Sequence, residues 1–328
     1  MKYLELLKSA AKTTWHHKYL WFFGVFAAVL SNGEIYKIST GETSDFFAGW
    51  DKMQATGIFD SAVFSKIVEF AQYDPLGLLW RLLVLLLVLV LAIFIIWLAV
   101  VSQGALINNI AKINLNKKTD FADGLTCGRA NLWPVFFFKL LEKVAVLTLI
   151  LLTLLPILIV FSYSGNMWLR SLYTLLSFLM IILAAAFALG IRYGVAYAII
   201  KNLRFIEALR AGFRLLYKNW LISLEAGVVI FIVNFLAGAV IVTLISAAVI
   251  PFVFLMFVFY KVAWAWAVTV TLFIGAFILF VLIAAAGGAL WVFNESFWTI
   301  AFLQFLRGNT NSWIKNLFIR KKNSPAKQ

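Results

Sequence analysis

Hydrophobic residues in this chain gather in long uninterrupted blocks, and charged or turn-forming residues separate the blocks rather than alternating within them. Leu82–Val101 and Leu147–Phe161 are typical. Such blocks suit a hydrocarbon core, which takes about 20 apolar helical residues to cross. Setting apolar blocks against polar breaks predicts six spanning helices, roughly Tyr19–Ser31, Leu78–Ser102, Val135–Phe161, Leu172–Ile199, Leu221–Ile250 and Val262–Leu290. The expected fold class is all-α: a polytopic membrane helix bundle of six transmembrane helices with interfacial amphipathic helices, forming a single integral membrane domain over 1–328.

Two places leave alternatives. Lys18 and the Asn32-Gly33 turn bracket a short first span, for which a cleaved leader is the rival reading: basic start, short apolar core, then Ala27-Ala28-Val29-Leu30-Ser31. The Leu221–Val292 stretch holds either two long spans or three short ones. Pro251 and Lys261 bracket a Phe-rich link there, which favours two spans with an interfacial or re-entrant turn between them. Charge arbitrates. With six spans and the N-terminus inside, inner segments and adjoining helix ends carry 22 Lys/Arg and 7 Asp/Glu, and the outer side carries 6 and 7. Basic residues near span ends mark the cytoplasmic side. Three spans would put Arg320-Lys321-Lys322 outside, against that bias. The expected location is a bacterial-type cytoplasmic membrane, with both termini cytoplasmic.

Composition excludes other classes. The chain is 64% hydrophobic and 13% charged, where a soluble domain has about 45–50% apolar and about 25% charged residues. A water-soluble enzyme, a disulfide scaffold and a disordered tail are ruled out. The single Cys127 excludes an internal disulfide and a multi-cysteine metal site. The only histidines, His16 and His17, point about 100° apart on a helix. No metal and no cofactor is expected.

The blocks also repeat. When Glu5, Asp123 and Glu207 are aligned without gaps, a leucine follows two residues later (Leu7, Leu125, Leu209) and a small residue five later (Ala10, Gly128, Gly212). An aromatic follows ten later (Trp15, Trp133, Tyr217), and then a span. In two copies Lys8, Lys12 and His16 match Arg210, Arg214 and Lys218, a basic stripe at i, i+4, i+8. This is an amphipathic helix on the inner membrane surface, with its acidic residue in the first turn where the helix dipole favours it. The middle copy has Thr126, Ala130 and Pro134 instead, and Pro134 forces a break or a helix start. The expectation is three units, 1–112, 113–203 and 204–328, each an inner helix, a span out and a span back. Each returning span carries glycine: Gly104, then Gly190 and Gly194, then Gly287-Gly288. The Gly190-x-x-x-Gly194 spacing allows close helix approach. In the long outer link Asn32–Pro75, Phe59, Val63, Ile67 and Phe70 fall at helical spacing, as a lid or as a plain surface helix.

Ionisable residues inside spans cost several kcal/mol unless paired. Those here are Lys139, Glu142 and Lys143, Arg192, Glu225 and Glu295, all near the inner ends of their helices. Lys139 and Glu142 can pair locally at i, i+3. Arg192 and Glu225 lie on consecutive antiparallel spans and are a plausible cross-helix pair, with Asn294, Glu295 and Trp298 facing the same region. The cluster is either a polar inner vestibule for a headgroup or small anionic solute, or an ion-pair layer that fixes helix register. No phosphate-binding loop, nucleophile elbow or His-Glu-x-x-His motif is present. The basic stripes abut spans, so anionic lipid headgroups at the inner face are the expected partner, not nucleic acid.

The leader from Trp15 to Gly24, the Glu207-Ala208-Leu209 helix with Lys218-Asn219-Trp220, and the Trp291–Phe305 ending resemble bacterial multi-span proteins. In particular they resemble the membrane domain fused to some glycerophosphodiester phosphodiesterases. The resemblance implies a membrane domain, and phosphodiesterase activity is not carried over with it. The catalytic barrel of those fusions needs roughly 250 residues, and no soluble region here is that long. The sequence therefore points to a non-enzymatic membrane protein whose inner face engages anionic lipids or a partner. The alternative is a small-solute or lipid transporter using the inner polar cluster.

Overall fold

A computed structural model of the chain describes residues 3–29, 73–163 and 167–308. Among the described residues the chain forms nine α-helices and no strand. They are α1 (Tyr3–His16), α2 (Leu20–Val29), α3 (Pro75–Asn114), α4 (Phe121–Ala130), α5 (Leu132–Tyr163), α6 (Met167–Lys201), α7 (Phe205–Lys218), α8 (Trp220–Lys261) and α9 (Ala265–Leu306). Four of these, α3, α6, α8 and α9, are long and apolar enough to cross a membrane. The amphipathic stretch within Asn32–Pro75 and the Arg320-Lys321-Lys322 cluster lie outside the described residues.

The four long helices bury little of their most apolar windows, 17% at most. Leu82–Phe94 of α3, Phe231 and Phe235 of α8, and Phe273, Phe277 and Phe280 of α9 are exposed. Exposed apolar surface on this scale is stable only in an apolar solvent. At about 1.5 Å per residue a 42-residue helix such as α9 is about 63 Å long, twice a hydrocarbon core of about 30 Å. The surplus is used at the C-terminal end, where Trp291, Val292 and Glu295–Leu303 are buried.

The chain divides into two compact units, Phe26–Ala99 and Met1–Val25 with Val100–Gln328. In the first, Asp74 starts α3: its Oδ1 accepts from the Gly77 amide at 2.9 Å, and Pro75 takes the first helical position, where no amide hydrogen is needed. In the second, the short helices pack on the ends of long ones. Helix α4 lies on the C-terminal end of α3, where Gly128 meets the backbone of Val101 and a Cβ on Gly104 would stand 3.2 Å from the Gly128 Cα. Helix α7 lies on α6, where Gly212 meets Gly190 and Gly194. Helix α1 lies on α9. Helices α5 and α6 pack as one hairpin, and α8 and α9 as another.

The three aligned small residues, Ala10, Gly128 and Gly212, are all buried, and so are Leu6, Gly124 and Ala208 one turn earlier. The aligned aromatics are exposed: Trp15 62%, Trp133 66% and Tyr217 85%. The crossing face is thus a pair of positions at i, i+4, and the aromatic points away from it.

Long helices end on left-handed residues. Asn116 (φ 55°) follows α3, Asn202 (φ 51°) follows α6 and Gly308 (φ 73°) follows α9. After α3 the Lys117 amide reaches Lys112 O at 2.9 Å and the Asn116 amide reaches Ile113 O at 3.0 Å, the paired bonds of a Schellman cap. The α8–α9 turn differs from the sequence expectation. Helix α8 runs on through Pro251 to Lys261, and the chain reverses at Val262–Trp264, with Ala263 at φ 57°. No re-entrant link intervenes. Pro251 removes one amide donor, which a helix in an apolar environment tolerates where its other bonds are kept. Pro134 takes the third position of α5, where its amide would have no helical partner, so it marks a helix start.

Candidate functional site

The polar groups of the long helices fall into three sets. The first is ionic. Lys139 Nζ lies 2.7 Å from Glu142 Oε2 along α5, the local pair its spacing predicts. Arg192 Nη2 on α6 lies 3.2 Å from Glu295 Oε1 on α9, and its guanidinium sits 5.3 Å from the Trp298 ring centre. These are two ion pairs, one within α5 and one between α6 and α9. Glu295 is 2% exposed. A carboxylate so placed needs a cation, and Arg192 supplies it.

The expected Arg192–Glu225 pair is corrected. Glu225, on α8, accepts a hydrogen bond from the Tyr3 hydroxyl of α1. Burial, with the adjacent Glu225 carboxylate, raises the Tyr3 hydroxyl pKa far above its ordinary value, so Tyr3 remains the donor. The second set bridges α6 and α8 through Tyr193, whose buried hydroxyl bonds Ser223 Oγ at 3.0 Å. Tyr193 is next to Arg192, and Ser223 is two residues before Glu225. The third set is an amide pair: Asn234 and Asn294 exchange bonds at 3.0 and 3.1 Å between α8 and α9. Tyr3, Tyr193, Ser223 and Asn234 carry no charge and sit in no motif, so no pattern in the sequence marks them.

The six stripe residues Lys8, Lys12, His16, Arg210, Arg214 and Lys218 are all exposed, on helices whose other faces are buried. His16 Nδ1 sits 3.0 Å from the Lys12 carbonyl, which fixes the ring on the stripe. In the middle copy, Asp123 pairs with Lys112 at 3.1 Å, and Asp120 caps α4 by accepting from the Asp123 amide at 2.8 Å. Two surface grooves, of about 830 and 610 Å³, are lined by other residues than Arg192, Glu225 and Glu295. Among the described residues no three His, Cys, Asp or Glu side chains group as metal ligands.

No family model matches the chain, and no curated protein and no solved structure is significantly similar to it.

Proposed function

We propose that this protein is a six-span, non-catalytic protein of a bacterial-type cytoplasmic membrane that holds anionic lipid headgroups on its inner face. Helices α2 and α5 fall where the first and third spans are expected, alongside the four long apolar helices. The observation that carries the reading is the exposure of all six basic residues on α1 and α7 while the opposite faces of these helices are buried. A stripe turned away from the protein and abutting a span meets headgroups first. The pairing of Arg192 with Glu295 and of Lys139 with Glu142 supports a register-fixing role for the polar cluster over a solute path.

The test uses the full chain purified in neutral detergent and titrated with phosphatidylglycerol or phosphatidylcholine, with retained lipid read by native mass spectrometry. Phosphatidylglycerol is retained over phosphatidylcholine, and the difference shrinks in high salt. Each Lys or Arg near an anionic surface contributes about 1 kcal/mol, so Arg210→Ala/Arg214→Ala weakens phosphatidylglycerol retention by about tenfold or more. Equal retention of the two lipids overturns the reading. For topology, in a Cys127→Ser background, Lys117→Cys labels only from the inner side and Met167→Cys only from the outer side.

A further inference from the structure

The groove of about 610 Å³ lies between the C-terminal half of α1 and the segment after α3. Lys12, His16 and His17 line it from α1, and Lys117, Lys118 and Thr119 line it from the α3–α4 connection. Only Lys12 and His16 belong to the basic stripe. The others are brought there by the fold.

The connection is hydrogen-bonded at both ends. The Schellman cap at Asn116 turns the chain off α3 and delivers Lys117 and Lys118 to the rim. Asn109, fully buried on α3, anchors the residues just beyond the two lysines. Its Oδ1 accepts from Thr119 Oγ1 at 2.9 Å, and its Nδ2 donates to the Asp120 carbonyl at 3.1 Å. On the other wall, His16 Nδ1 faces the Lys12 carbonyl at 3.0 Å and His17 Nδ1 faces the Thr13 carbonyl at 3.3 Å. A carbonyl only accepts, so each Nδ1 carries its hydrogen and each Nε2 is left for another partner.

Among the described residues no carboxylate lines the groove. Of the acids that follow the connection, Asp120 caps α4 and Asp123 pairs with Lys112. Lys12, Lys117 and Lys118 have no ion-pair partner among the described residues. Three lysines that line one concavity carry like charges, which repel unless an anion joins them. Lysine is a point-charge phosphate binder, and a phosphate monoester carries about −1.5 to −2 charge with three acceptor oxygens. A monoester, with its greater charge, uses three neighbouring lysines more fully than a singly charged diester does.

We propose that this groove is a binding site for a phosphate monoester, presented by a lipid headgroup or by a soluble molecule. The site deepens the inner-face lipid reading and, for its lipid form, rests on it.

The full-length protein in neutral detergent is titrated with phosphatidic acid, a monoester, and with phosphatidylglycerol, a diester, and binding is read by native mass spectrometry. The wild type prefers phosphatidic acid. Lys117→Ala/Lys118→Ala, two exposed positions outside the stripe, weakens phosphatidic acid binding by about tenfold or more and leaves phosphatidylglycerol unchanged. Arg210→Ala/Arg214→Ala weakens both lipids alike and keeps the preference. Equal affinity of the wild type for the two lipids, or an unchanged Lys117→Ala/Lys118→Ala variant, overturns the groove. If only the α7 variant is without effect, the stripe reading fails and the groove stands. Competition with inorganic phosphate separates the sources: displacement of phosphatidic acid assigns the groove to soluble phosphates as well, and resistance assigns it to the lipid.

Discussion

Arg192 and Glu295 join α6 to α9 through an ion pair of 3.2 Å in which the arginine is 33% exposed and the carboxylate 2%. The asymmetry sets the consequences of breaking it. Removing Arg192 strands a buried carboxylate, which costs about 3–5 kcal/mol. Removing Glu295 leaves a guanidinium that still reaches solvent and the Trp298 ring, so the loss is smaller. Arg192→Leu therefore lowers thermal stability in detergent more than Glu295→Leu, and the double variant recovers part of the Arg192→Leu loss. Additive losses in the double-mutant cycle would mean that the two side chains are not coupled.

Gly212 is where α7 touches α6. A Cβ there would stand 2.5 Å from the Gly194 amide nitrogen and 2.6 Å from the Gly190 carbonyl oxygen. Both are backbone atoms of a packed helix and cannot swing aside. Gly212→Ala destabilises by about 1–3 kcal/mol, the usual cost of overpacking. At Gly227, inside α8, a Cβ meets nothing within 4 Å. Gly227→Ala therefore stabilises by about 0.5–1 kcal/mol through helix propensity alone. Opposite shifts in melting temperature are expected, and two shifts of the same sign would refute the close crossing.

These two sites mark what the sequence could and could not reveal. The Gly190-x-x-x-Gly194 spacing and the aligned Ala10, Gly128 and Gly212 are legible because close helix crossings need small residues at fixed intervals, whatever the partner. The partner of Arg192 is not legible, because it depends on helix rotation. Helices α6 and α8 are bridged, but Tyr193 faces Ser223, and Arg192 is turned about 100° from its neighbour, toward α9. Glu225 is met by Tyr3 of α1, and the small residues that mark a crossing face do not say which helix it crosses. Pro251 misleads for a related reason: proline breaks helices in water, yet α8 carries on for ten residues beyond it. The groove at Lys117 and Lys118 joins segments about a hundred residues apart in sequence, and only the docking of α1 beside the cap of α3 brings them together.

Ala263 holds φ 57° in the α8–α9 turn, where the Ala263 amide bonds Tyr260 O at 3.1 Å and the Trp264 amide bonds Phe259 O at 3.0 Å. These are the bonds of a Schellman cap with a Cβ at the position that glycine usually takes. A left-handed alanine costs roughly 1–2 kcal/mol, and glycine gives back about 0.5–1 kcal/mol of this through the unfolded chain's entropy. The difference favours glycine. Ala263→Gly raises the melting temperature in detergent, and a fall would show that the turn does not hold this geometry.

Cys127 offers a pH-dependent check on the docking of α4. Its thiol is half-buried, and burial pushes its pKa above the ordinary thiol range. The Asn131 amide, 3.5 Å from Sγ, and the Lys112 charge pull the other way, and Asp123 adds to the rise. Only the thiolate attacks a maleimide. A raised pKa means fewer thiolates at neutral pH, so Cys127 labels more slowly than a free thiol and continues to accelerate at pH values where a free thiol has levelled off. Lys112→Gln removes a stabilising positive charge and frees Asp123, and both changes move the midpoint of the labelling profile further up. Unfolding in denaturant abolishes the offset, because burial is its largest cause. A folded-state midpoint at or below that of a free thiol would mean that α4 does not cover Cys127 against the end of α3.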